Sequence, residues 1–417
     1  METRASKMNP EPKLWMVAER AVRLPNALIA AETLRDRFPG GVELVHDQSN
    51  AWHDFNWGRY ASYFDRVYTF PRLKTCRGVF DLPRLYRQTL DRKCAIAALP
   101  INPETDCLLC IAGVLGLSLV AASAHSKPRK VLTISTASYE RLTRIPDRKH
   151  FRFSTASWLQ NRFIEPLAGL ERTVQMKPRR DSSGDGARLV RLEKDPREIF
   201  DRILVSSISG RELPSGDERF VAARYPSMAE VPVFSRARED GAPRRVLFFG
   251  SPFLLVRNLA PEAYVAHLNR CLDYIRRFHP DRELIYRPHP FETDEAQRLE
   301  LRGFRVEGDR QPAEIYFLEN FHAIEAVYSV SSTVSRRGLT MGLNAYSFWR
   351  CFPFPDRAAQ FFARLMGDVP AEFEIRDFDR APVSYQAKRQ AGADTRTFSD
   401  ALIFAFDSLT TRVAARR

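Results

Sequence analysis

The chain has 417 residues, 44% hydrophobic and 28% charged, with 64 Lys and Arg against 51 Asp and Glu for a formal net charge of +13. That composition excludes a disordered chain, and the length exceeds one ordinary core, so two domains or one large α/β unit are expected. The basic excess fits polyanionic company (a nucleotide, a phosphate, an anionic glycan or an anionic lipid surface) and fits equally a set of solvated arginine faces. Six cysteines spread over such a length exclude a disulfide framework. Cys107 and Cys110 form a CxxC inside the apolar "DCLLCIAG", with no second pair nearby, and read as core packing. The opening "METRASKMNPEPK" lacks the apolar segment of a signal peptide, which predicts a cytoplasmic chain.

The first half alternates strand and helix. "KLWMVAE" reads as a strand, and "LPNALIAAETLRDRF" as a helix with Leu24, Leu28, Ala31 and Phe38 on one face and Pro25 in its first turn. "GVELVHD", "FDRVYTF", "DCLLCIAG" and "RKVLTIST" follow as strands, most of them separated by helical stretches. The uncharged run 107–124 is long enough for a membrane span, but Gly113 and Gly116 interrupt it, and it reads instead as a buried strand leading into a core helix. Residues 174–189 are polar and turn-rich and read as an exposed loop, and 234–245 as a linker.

After the linker the alternation restarts. The strands are "RRVLFFGSP", "ELIYRPHP", "GFRVEG", "AVYSV" and "NAYSFW". The helices are "PEAYVAHLNRCLDYIRRF", "TDEAQRLELR", "PAEIYFLENF" and "STVSRRGLTMG". A last segment, "TFSDALIFAFDSLTTRV", places Phe398, Leu402, Phe406 and Leu409 on one helical side. The expectation is α/β: two Rossmann-like, doubly wound domains facing a cleft, with ligands beyond the carboxyl ends of the strands. The boundaries are 1–240, 241–390, and a closing helix over 391–417 that packs back on the body.

Three segments of the second half carry candidate chemistry. In "YRPHP", Pro288 and Pro290 fix the backbone on either side of His289 at a strand end, and Arg287 adds a fork of donors suited to phosphate oxygens. A structural loop histidine is the plain alternative, and His279 in "FHP" reads as mere helix punctuation. In "SVSSTVSRRG", Ser331, Ser332 and Thr333 open a helix after a buried strand, where free amides and the dipole favour an anion; simple capping explains one of the three hydroxyls. Glu314, in the first turn of "PAEIYFLENF", suits the helix dipole and also the hydroxyls of a ribose.

The Arg-Pro-His-Pro strand end, Pro312-x-Glu314, and Ser331-Ser332-Thr333 after the next strand resemble the donor half of bacterial GT-B sialyltransferases, in particular the polysialyltransferase and lipooligosaccharide sialyltransferase group. "VLFFGSP" is similar to the first strand of that half, and "LPNALIAAETL" to the group's opening helix. The likeness spans about 245–350 and is thinner over the first 135 residues. It implies a GT-B glycosyltransferase that moves sialic acid from CMP-sialic acid to a glycan of a capsule or lipooligosaccharide, inverting and metal-independent, with no cofactor beyond the CMP-sugar donor. It also implies that His289 assists departure of CMP, that the Ser331 cluster holds its phosphate, and that Glu314 holds its ribose, with Arg287 and Pro290 at the phosphate.

Such a group also needs a general base. The resemblance implies an acidic pair followed by glycine in the N-terminal domain. At the end of the fifth strand, Ser135 and Thr136 stand where acids are expected. Glu239-Asp240-Gly241 matches the motif's letters but falls in the linker, flanked by arginines; Asp185, Asp47 and His53 are weaker candidates. A Kdo or polyol-phosphate transferase of the same fold, or a degenerate nucleotide- or glycan-binding partner without a base, therefore remain as alternatives. The expected partners are a CMP-activated sugar, a glycan acceptor and peripheral contact with an anionic inner membrane. Dispersed arginines without a binding motif argue against nucleic acid.

Overall fold

The computed structural model of the protein describes residues 11–18, 23–47, 57–70, 79–111, 129–134, 159–167, 174–178, 187–192, 200–206, 217–224, 244–251, 260–289, 292, 298–308, 311–331, 333–366, 369–384 and 396–415. The chain divides into two units. One comprises Met1–Arg224 with Arg396–Arg417, and the other Tyr225–Thr395.

The first unit contains β1 (Leu14–Ala18), α1 (Leu24–Leu34), β2 (Val42–Asp47), β3 (Arg66–Phe70), α2 (Leu82–Ala97), β4 (Cys107–Ile111) and β5 (Arg129–Ile134). It continues with β6 (Val174–Pro178), β7 (Ala187–Leu192), β8 (Arg202–Ser206) and β9 (Phe220–Ala223). Seven of these strands form one sheet in the order β3-β2-β1-β4-β5-β8-β9, every pairing parallel. The central strands "LWMVA" and "CLLCI" are buried at every residue, as strands covered on both faces must be. Cys107 and Cys110 are buried in β4, and residues three apart in a strand point to opposite faces, so they do not share a site. α1 departs from the single apolar face expected of it. All of Leu24, Pro25, Asn26, Ala27, Leu28, Ile29, Ala30 and Ala31 are buried, because its alanines allow close approach on every side.

The second unit contains β10 (Arg245–Phe249), α3 (Pro261–Phe278), β11 (Glu283–Arg287), β12 (Phe304–Val306), α4 (Ala313–Asn320), β13 (Ile324–Ser329), α5 (Thr333–Thr340), β14 (Asn344–Ser347) and α6 (Asp356–Leu365). Its five strands run parallel in the order β12-β11-β10-β13-β14. Both units thus carry the doubly wound parallel sheet expected from the alternation. α3 begins at Pro261, whose missing N–H costs nothing in a first turn. It buries Tyr264, Val265, Leu268, Cys271, Leu272 and Ile275 at helical spacing, each apolar side chain contributing about 1.5–3 kcal/mol. Its C-cap, His279, is more than punctuation: the buried ring bonds Tyr328 Oη through Nε2 at 2.8 Å. α5 ends where Gly342 adopts φ 99°, and the Leu343 N–H donates to the Gly338 carbonyl at 2.9 Å.

Two element expectations need correction. The stretch 174–189 is not simply a loop: β6 and β7 pair antiparallel, and residues 179–186 between them lie outside the described residues. The turn residues that it flanks hide the valine, methionine and leucine alternation. The helix expected over 293–302 falls largely outside the described residues, and its described end, 298–302, is not α-helical. The second half of the apolar run 107–124 also lies outside them. No helix among the described residues is long and apolar enough to cross a membrane.

The last helix, α7 (Phe398–Ala415), belongs to the first unit. Phe398, Leu402, Phe406 and Leu409 are all buried, with Phe406 edge-on to Phe38 at 5.6 Å. Ser399 Oγ accepts from Thr33 Oγ1 at 3.1 Å, Asp407 pairs with Arg37, and Ser408 Oγ accepts from Arg202 Nε at 2.8 Å.

Candidate functional site

In the second unit the sheet grows outward from β10 in both directions, so its strand order reverses between β10 and β13. Ligands of doubly wound sheets bind beyond the carboxyl ends at such a reversal. The register sets what meets there. Phe249 of β10 pairs with Arg287 of β11 on one side and with Ser329 of β13 on the other. Two residues further along each strand direction stand Ser251, His289 and Ser331. Continued past the strand ends at the ideal spacing of about 4.8 Å, this register would put the His289 and Ser331 backbones about 10 Å apart, with Ser251 between them.

His289 is half-buried, and burial pushes its imidazole below the usual histidine range. At neutral pH the ring is therefore uncharged, with one nitrogen donating and the other accepting. Ser251 and Ser331 are buried. The Ser251 hydroxyl has no hydrogen-bond partner among the described residues, while its carbonyl accepts from Tyr264 Oη at 3.4 Å. Other nearby hydroxyls are committed to the fold. Ser335 Oγ of α5 donates to Ser329 Oγ at 2.7 Å, which ties the start of that helix to the end of β13, and Ser347 Oγ donates to the Val330 carbonyl at 2.7 Å.

Arg287 occupies a different place from His289 although only Pro288 separates them. Its buried guanidinium lies over the Tyr316 ring at 4.1 Å and faces Phe249 at 5.8 Å. Nη2 donates to the Gln311 carbonyl at 3.1 Å, and Nη1 is 3.7 Å from Glu307 Oε2. Arg287 thereby fixes the entry to α4, whose first turn carries the partly exposed Glu314. Thr333 is the first residue of α5. Pro290, Ser332, Glu239 and Asp240 lie outside the described residues, as do Asp185, His53, Ser135 and Thr136. Asp47 ends β2.

One residue escapes the sequence reading. Glu292, three positions past His289, is half-buried against the tip of β10. Its Oε1 accepts from Tyr286 Oη at 2.6 Å and its Oε2 from the His289 backbone N–H at 3.1 Å; the Ser251 backbone N–H contributes a further bond. The His289 carbonyl in turn accepts from the Glu292 N–H at 2.8 Å. Burial outweighs these bonds and pushes the Glu292 carboxyl up to about 7. Gly250 permits the arrangement, since a Cβ at that position would overlap the carboxyl group. The signals for it in the sequence are a glycine directly after a strand and an acid two residues past the His-Pro pair.

No protein-family model matches the chain. No curated protein matches it either. Among solved structures, the UDP-GlcNAc 2-epimerase of Neisseria meningitidis bound to UDP-GlcNAc is similar at 9% identity and a TM-score of 0.48, covering 96% of this chain and 100% of that one. An α/β-galactoside α-2,3-sialyltransferase from Photobacterium phosphoreum is similar at 10% identity and 0.44, covering 93% and 99%. The glycotransferase of kitacinnamycin follows at 15% and 0.43, covering 96% and 95%. At such scores the likeness decides neither reaction nor ligand, and the fold rests on the sheet order itself.

Proposed function

We propose that the chain is a glycosyltransferase that moves sialic acid from CMP-sialic acid to a cell-surface glycan, with inversion. The observation that carries this reading is the level shared by Ser251, His289 and Ser331 at the strand-order reversal of the second unit. When the sugar–phosphate bond breaks, charge builds on the departing phosphate, and fixed donors placed there lower the barrier. The neutral His289 ring donates one hydrogen bond. An approaching phosphate raises the ring's proton affinity, so the imidazole becomes able to hold the proton it gives to the leaving group. Ser331 and the first amides of α5 complete the anion site, together with Ser332 and Thr333. Glu314 accepts from the ribose hydroxyls, and Arg287 holds the helix that presents it. Pro290 stiffens the histidine's far side.

In this reading Glu239 or Asp240 deprotonates the acceptor hydroxyl, and the basic surface brings the protein to an anionic inner membrane where its acceptor is made. The test is release of CMP from CMP-sialic acid with a panel of glycan acceptors. His289→Ala is expected to lower the rate by about 100-fold or more, as loss of an acid–base group does. CMP and CMP-sialic acid are expected to raise the melting temperature, and UDP sugars to leave it unchanged. Equal rates for the wild type and His289→Ala sink the proposal. Turnover of CMP-Kdo alone would reassign the donor, and tight CMP binding without turnover across acceptors would make the protein a binding partner.

A further inference from the structure

We propose that Glu292 is the positioning residue of this site: its carboxyl group gathers the tips of β10 and β11 and so sets the His289 imidazole toward the phosphate. The role of the ring rests on the reading above; the positioning itself does not. Glu292 receives Tyr286 Oη on one oxygen and the His289 N–H on the other, and the Ser251 N–H joins them. It therefore ties the end of β11 to the end of β10, the strand that borders the strand-order reversal. Among the described residues its hydrogen-bonding neighbours are a phenol and main-chain amides, with no cation paired to it. The groups that face it are Tyr286 from β11, Tyr264 from α3, and Gly250 and Ser251 from the end of β10. The closing turn is short: His289 and Glu292 bond each other in both directions, backbone amide to carboxyl and backbone amide to carbonyl.

The protonated and ionised forms hold the turn differently. Ionised, the carboxylate accepts from both Tyr286 and His289. Protonated, it keeps the amide on one oxygen and donates its own proton to the Tyr286 oxygen, reversing that bond. Glutamine copies the second form permanently, whereas alanine has neither. Gly250→Ala displaces the carboxyl without altering its chemistry.

The experiment has two arms. In the ligand-free protein, the His289 ring resonance, assigned by its loss in His289→Ala, is followed through pH by NMR. It is expected to show a step near pH 7 besides its own titration, and Glu292→Gln is expected to abolish that step. Superimposable curves for the wild type and Glu292→Gln overturn the proposal, whatever the donor is. In the second arm, CMP release from CMP-sialic acid is expected to fall about tenfold in kcat for Glu292→Ala and for Gly250→Ala, with KM within about threefold. Glu292→Gln is expected to recover most of that loss and to flatten the pH profile around 7. Unchanged kcat in Gly250→Ala and Glu292→Ala overturns the proposal. If the alanine variant fails to fold, the glutamine and Gly250 variants decide. A wild-type chain that leaves CMP-sialic acid intact refutes the reading of the reaction, and the ring titration still decides Glu292.

Discussion

Both sheets open with the same strand order, yet among the described residues most of the buried polar groups of their strands lie at opposite ends. In the first unit these groups lie at the amino ends of the strands. Glu43, near the start of β2, takes Lys13 Nζ at 2.7 Å. Asp106, just before β4, accepts from the Lys13 amide and Thr105 Oγ1 on one oxygen, and from Trp15 Nε1 and the Asn102 amide on the other. Arg202, opening β8, is bonded to Ser408. His46, buried towards the carboxyl end of β2, is the exception. In the second unit, Ser251, Arg287, Ser329 and Ser331 are buried at the carboxyl ends, with Glu292 beside them, while the amino ends carry the buried His279 and more exposed pairs such as Arg245 with Glu283 at 2.9 Å. A buried carboxylate saturated by donors, like Asp106, holds a fold. A cluster with hydrogen-bonding capacity left, like Ser251 beside a neutral imidazole, suits a ligand.

The sharpest way to break this contrast is at Asp106. Asp106→Ala strands the Trp15 indole N–H and two amides in the core, and is expected to cost about 4 kcal/mol in urea unfolding. On the proposed reading, CMP binding by the second unit should survive wherever the variant remains folded. A loss below about 1 kcal/mol would mean that the amino-end carboxylate is not a structural tie.

A second comparison uses pH. The Glu292 carboxyl, raised from 4.5 to about 7, holds a proton in the folded protein that the unfolded chain gives up. Its contribution is present below pH 4.5 and is lost as pH rises to about 7, a decline on the order of 3 kcal/mol. His289, lowered by burial, acts in the opposite sense, removing stability as pH falls through the ordinary histidine range. The difference in unfolding free energy between the wild type and Glu292→Gln isolates the first effect, and a flat difference from pH 4.5 to 7 would refute it. The smallest expected effect is at the end of α5. Gly342→Ala, at φ 99°, should cost about 1 kcal/mol by thermal melting without changing the pH behaviour.

Much of the second unit is legible in its residues alone. Its strands are short apolar runs between turns, and α3 shows helical spacing throughout. The level shared by His289 and Ser331 is visible in outline, because both follow such runs directly. Register is not, since it depends on which strands become neighbours, and that is what places Ser251 between them. β8 and β9 escape assignment because Arg202 and Arg219 interrupt the pattern. Both are satisfied by distant or local partners, Ser408 and Asp217, that no single window reveals. Glu292 is visible as a letter but not as a buried group, because its burial comes from α3 and the Gly250 opening.

The placement of α7 has a consequence for biosynthesis. The chain leaves the first unit after Arg224 and returns to it only at Arg396, so the second unit is an insertion. During translation the inserted unit is complete, and free to fold, while the older sheet still lacks the helix that covers Phe38 and engages Arg202. The helix after Arg396 thus closes a sheet whose strands precede Arg224. A ribosome stalled between the two would hold a finished five-stranded unit tethered to an unsealed apolar sheet, a ready target for holding chaperones.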